Sequence, residues 1–271
     1  DNRDYEPLSS AAQSALYGAC GVFAAQAGLH WLRASCMPPS SARTQQQEQV
    51  SGAVLGACAV FYLAAACGVS ENLYAGDGSS ARDYRLFFPV LFAERALSGC
   101  MLFVGLGALA RERRPPVVAL AAVWLTLTGA LYAGHLVDAG RQRFAFLVAA
   151  VAMLIPLVAT LVGSMGNRLR MSQLQVVFRF LASWCVLCGA CYCLAFYCCV
   201  VAGFLSTETE ILVYSLLDYS FVGVSALVIS CGSGPDLEAG LLPAQEAELS
   251  LYPGPHSHGF FPNPHYYDDN L

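Results

Sequence analysis

The chain has 271 residues, 56% of them hydrophobic and 12% charged, with a net charge of −5. Its mean hydropathy of +0.53 is too apolar for a soluble domain of this length, and no basic run suits a nucleic acid. All 14 basic residues are arginine, and there is no lysine.

The numbering opens on Asp1, which reads as a processed or excised chain with residues 1–10 as an extracellular N-terminus. Hydropathy then predicts seven membrane helices. They run at about Ala11–Leu32, Gln49–Val69, Tyr84–Ala110, Pro116–Leu136, Phe144–Gly163, Leu174–Phe204 and Thr209–Cys231. Segments this long and apolar satisfy their backbone in lipid only as helices, so the fold class is all-α, a seven-transmembrane bundle over residues 11–231. Arg33, Arg43, Arg111, Arg113, Arg114, Arg168 and Arg170 fall in loops on one side. Their excess over the acid-diluted arginines of the other side predicts an outside N-terminus and a cytosolic C-terminus. From residue 232 to 271 the chain turns rich in Pro, Gly and acids without periodicity, the pattern of a disordered cytosolic tail.

The third span reads ARDYRLFFPVLFAERAL. Asp83 is followed at once by Tyr84, then by Pro89 six residues after the acid and Glu94 five after the proline. The seventh reads LLDYSFVGV, with Leu217-Asp218 and, four residues on, Val222. This pair of motifs in a seven-helix chain resembles the microbial (type 1) rhodopsins, over about residues 11–231. Their third helix carries an acid, an aromatic, a proline and a second acid at these spacings. Their seventh carries Leu-Asp and then the lysine that binds retinal. The resemblance implies a rhodopsin-like bundle in which Asp83 and Asp218 face each other. The lysine position is Val222, and a Schiff base needs an amine that this chain lacks, so no covalent retinal is expected and no cofactor or metal is assigned.

A carboxylate at mid-membrane costs a few kcal/mol unless paired, so these acids belong inside the bundle. Asp83, Tyr84, Glu94, Arg82 and Asp218 form the candidate intramembrane network. Two uses compete: a functional one, as a proton or ion path or a polar ligand pocket, and a relic network in which the acids bond to Tyr84, Tyr192 or Tyr219 or pair with arginines and hold the helices in register. Arg95, beside Glu94, would pair locally or snorkel. The six cysteines of helix 6, Cys185 to Cys199, have CxxC spacings, but on a membrane helix they act as small apolar residues rather than a zinc site. Cys231, where helix 7 ends, is a candidate for S-acylation.

The tail ends HGFFPNPHYYDDNL. Phe261, Asn263, Pro264 and Tyr266 match the FxNPxY internalisation signal of surface receptors. Asn-Pro starts a tight turn, and the preceding segment can add as a strand to a PTB-type endocytic adaptor that takes the tyrosine in a pocket. The reading is therefore a non-enzymatic, receptor-like or scaffold membrane protein, trafficking between plasma membrane and endosomes and contacting lipid and adaptors. The alternative is a proton, ion or small-solute transporter or channel using Asp83, Glu94 and Asp218.

Overall fold

The computed structural model describes residues 9–38, 42–69, 72–75, 84–109, 114–137, 140–165 and 172–232. The chain divides into units Asp1–Ser233 and Gly234–Leu271; the tail, with Phe261, Asn263, Pro264 and Tyr266, lies outside the described residues.

Seven helices follow in order. They are α1 (Ser10–Cys36), α2 (Ala42–Ala66), α3 (Pro89–Leu109), α4 (Arg114–Leu136), α5 (Gly140–Val158), α6 (Ser172–Phe196) and α7 (Thr207–Asp218). Three of them run on as π-helix: α5 through Ala159–Met165, α6 through Tyr197–Val201, and α7 through Tyr219–Val224 before ending as α-helix at Ser225–Gly232. Six of the seven are long and apolar enough to cross a membrane; the more polar α1 is 27 residues long, about 40 Å. Large apolar side chains such as Ile155, Val176 and Val60 point outward, as lipid requires and water would not tolerate in such number. The protein is a multi-pass membrane protein.

Local chemistry sets the helix ends. Ser9 Oγ accepts from the amide of Ala12, and Ser206 Oγ from that of Thr209, each capping an N-terminus. Gly203 takes φ +65° between α6 and α7, a conformation that glycine adopts at little cost. The third helix differs from the sequence expectation. It begins at Pro89, not Tyr84, and residues 84–87 form a strand, β2 (Tyr84–Phe87), paired antiparallel with β1 (Asn72–Ala75). Proline at the first helical position suits a helix start, and it drives the residue before it out of the α region. Tyr84 is thus outside the membrane helix, and Arg82 and Asp83 lie outside the described residues.

The core is packed with aromatics. Trp124 of α4 is fully buried, stacks on Phe221 at 4.5 Å and donates through Nε1 to the carbonyl of Arg95 at 2.9 Å. Its indole lies directly over Gly99 of α3, where any Cβ would collide with it. Because the hydrogen bond holds the indole in place, Gly99→Ala is expected to destabilise the bundle by about 1–3 kcal/mol. A lowered unfolding midpoint in detergent, followed by tryptophan fluorescence, checks this.

Candidate functional site

Asp218 closes the α-helical part of α7 and is 0% exposed. Tyr62 of α2 donates to its Oδ2, and Tyr192 of α6 donates to its Oδ1 at 2.5 Å. Arg95 of α3 donates to the same Oδ1 through Nε at 2.9 Å. Four helices therefore converge on one carboxylate. Arg95 is itself 4% exposed, and its guanidinium sits 4.3 Å from the Tyr214 ring centroid and 4.8 Å from that of Phe92. The aromatic faces support the cation where water cannot. An unpaired charge in this setting would cost several kcal/mol; the ion pair, with two hydroxyls on the carboxylate, offsets most of that.

A buried histidine–carboxylate pair stands near each end of the bundle. Where α1 gives way to α2, His30 Nδ1 is 2.5 Å from Glu48 Oε2, with Ser230 Oγ 3.2 Å from the same nitrogen. Arg33, 46% exposed, reaches Glu48 Oε1 at 3.3 Å and connects the pair to the surface. At the opposite end, His135 Nε2 is 3.3 Å from Glu210 Oε1 in the first turn of α7. Glu210, Tyr214 and Asp218 recur every four residues, so they share one face of α7. Beyond Asp218, Gln26 of α1 donates to the carbonyl of Gly223 at 2.7 Å, one turn from His30. From Glu210 to Ser230 is twenty residues of helix, about 30 Å, the thickness of the hydrocarbon core. Along this column the Tyr214 hydroxyl, Gln26 Oε1 and His30 Nε2 are buried without a hydrogen-bond partner. Each such atom costs about 1–3 kcal/mol unless solvent reaches it.

Glu94 lies to one side. It is 1% exposed, and neither carboxyl oxygen has a hydrogen-bond partner. It lines a crevice of about 120 Å³ between α2 and α3, with Cys58 and Ser98 as its polar neighbours. A second cavity of about 230 Å³ shares Val54 and Met101 with it and runs past Val222 to Gln46, Gln47 and Ser51.

No protein-family model and no curated protein matches the chain. Solved structures do match. A light-driven proton pump from Leptosphaeria maculans superposes with a TM-score of 0.76 at 17% identity, over 84% of this chain and 97% of that one. Acetabularia rhodopsin I gives 0.75 at 15% identity, over 86% and 97%. Halorhodopsin, a light-driven chloride pump, gives 0.74 at 16%, over 83% and 95%. The fold is that of the microbial rhodopsins. At these identities the likeness extends to the fold alone.

The residues in place of a rhodopsin's chromophore site do not fit covalent retinal. Val222 is 2% exposed and offers no amine. The countercharge of Asp218 is Arg95, on the protein itself.

Of the residues singled out in the sequence, Asp218 and Glu94 are buried in the bundle, but they do not share partners. Asp218 faces Arg95, and no pairing of it with Asp83 can be described. Arg95 neither snorkels nor pairs with Glu94, because its guanidinium turns inward to α7. Tyr192 is among the tyrosines that bind Asp218; Tyr219 packs edge-on against Phe23 instead. Sequence reasoning missed Tyr62, His30, Glu48, His135 and Glu210. The signal available was polar, titratable side chains inside or at the edge of apolar runs. The side chain of Cys231 lies outside the described residues. Among the described residues no disulfide is formed, and no group of three or more His, Cys, Asp or Glu is placed to hold a metal.

Asp218→Asn leaves Arg95 charged and unpaired in the core. Destabilisation of about 3–5 kcal/mol is expected. Adding Arg95→Met to that variant should recover much of the loss, since both charges are then gone. Unfolding midpoints of the two single variants and the double variant, measured in one detergent, give the coupling.

Proposed function

We propose that this bundle is a retinal-independent conductor of protons, whose path follows the inner face of α7 from the His135–Glu210 pair through Tyr214 and Asp218 to Gln26 and the His30–Glu48 pair. The observation that carries this reading is the placement of two buried, unpartnered polar atoms, the Tyr214 hydroxyl and Gln26 Oε1, between two buried histidine–carboxylate pairs. Intramembrane titratable groups are costly and are kept where protons or ions move. Histidine, carboxylate and phenol all exchange protons, whereas the column has no ring of oxygens suited to a hydrated cation. The Arg95–Asp218 ion pair is the point of control: a proton handed through Asp218 requires Arg95 to release Oδ1. Solved structures of the same fold include light-driven proton and chloride pumps, which supports ion movement over a purely scaffolding role. Without a lysine there is no covalently bound light absorber, so the expected flow is downhill.

The test is proton flux into proteoliposomes loaded with a pH dye, under a potassium-diffusion potential. The wild type should equilibrate faster than protein-free liposomes. Glu48→Gln, far from the central ion pair, should slow this by on the order of tenfold or more. Flux no faster than that of empty liposomes would sink the reading.

The tail supports a second reading compatible with the first, carried by the FxNPxY match at Phe261, Asn263, Pro264 and Tyr266. On this reading the protein is retrieved from the plasma membrane by PTB-type adaptors. Tyr266→Ala should accumulate at the cell surface in an uptake assay using an N-terminal tag, while Tyr267→Ala should not. Equal uptake by both variants and the wild type would mean the match is accidental.

A further inference from the structure

Glu94 takes no part in the column above, yet it is the most poorly satisfied acid in the described core. Both oxygens are buried without a partner. The neighbouring Arg95 is committed to Asp218. The crevice that Glu94 closes is otherwise walled by Ala53, Val54, Ala57, Cys58, Phe61, Leu97, Ser98 and Met101, none of them basic. Ala53, Leu97 and Met101 also face the exterior of the bundle, so the crevice opens sideways onto lipid rather than onto either aqueous end.

We propose that this crevice binds a lipophilic primary amine drawn from the bilayer, with its ammonium on the Glu94 carboxylate and its chain along Val54 and Met101. The charge argument is direct. A buried carboxyl group without a hydrogen-bond partner is costly, and an ammonium brings three donors together with the countercharge that the ionised form needs. Ser98 and Cys58 border the same carboxyl, and Phe61 lines the crevice beside it. The shape agrees. About 120 Å³ accommodates the head and first carbons, and the adjoining cavity of about 230 Å³, walled by the same Val54 and Met101, takes the rest of a chain towards Gln46 and Gln47. An anion would meet Glu94 with no compensating cation, and a neutral alcohol would bring one donor and no countercharge. No residue of the proton path is involved, so this inference stands or falls separately from the proposed conduction.

The experiment uses the full chain in lipid nanodiscs and a diazirine-bearing dodecylamine as photolabel. Labelled peptides are mapped by mass spectrometry. Label is expected on residues 53–61 of α2 and 94–101 of α3, displaced by dodecylamine but not by dodecanol. Glu94→Gln should reduce labelling there by about tenfold. Ala57→Phe, which keeps the carboxyl but fills the crevice, should do the same. Unfolding midpoints of both variants confirm that they are folded, and label on peptides elsewhere serves as the internal reference. Undiminished labelling in either folded variant, or equal displacement by dodecanol, would overturn the proposal.

Discussion

One carboxylate and one guanidinium, 2.9 Å apart and sealed from solvent, constrain the whole bundle. In lipid no water can rescue either charge, so the helices must arrive in the one arrangement that brings Tyr62, Arg95, Tyr192 and Asp218 together. The demand propagates outward. The carbonyl of Arg95 fixes the Trp124 indole, the indole requires glycine at position 99, and its stacking on Phe221 registers α4 against α7. Apolar residues of matching volume often hold a buried site at least as firmly as an ion pair does. Stability alone therefore does not account for the charges, whereas the control point of the proposed proton path would require them.

The two histidine–carboxylate pairs have a different character. His30–Glu48 adjoins a half-exposed arginine, and His135–Glu210 lies where α4 ends and α7 begins. Each is buried near an end of the bundle. Between them the column is polar but incompletely bonded, whereas the Asp218 cluster at its middle is fully bonded. Loose ends and a tight centre are what a gated path needs: groups that accept a passing proton on either side of a group that yields only when its partner moves.

The seven apolar runs were legible because a membrane span declares itself through continuous hydropathy, which needs no knowledge of neighbours. The start of α3 was not read from hydropathy, since Leu86, Phe87 and Phe88 extend the apolar run backward while Pro89 interrupts the helix. The proline was the better guide. That Asp218 must be interior followed from its cost in lipid, but its partners could not be read. Tyr62 sits in an unremarkable apolar run 156 residues away, and the inward turn of Arg95 depends on where α7 lies. His135 and Glu210, 75 residues apart, are each a lone polar residue until the fold brings them together. The rhodopsin-like spacing of Pro89 and Glu94 pointed to the fold without disclosing that Arg95, not an acid, answers Asp218.

The π-helical stretch Tyr219–Val224 interrupts α7 directly after the Asp218 cluster. A π turn accommodates about one extra residue, and each residue of an α-helix advances it by about 100°. Straightening this stretch into ordinary α-helix would therefore turn Ser225–Gly232 by about that angle against Thr207–Asp218, carrying Ser230 away from His30 and drawing Gly223 off Gln26. Helix 7 is in effect a shaft with a slip joint. With the π stretch in place the half after it meshes with α1, and the joint lies beside the residue whose charge holds the first half in place.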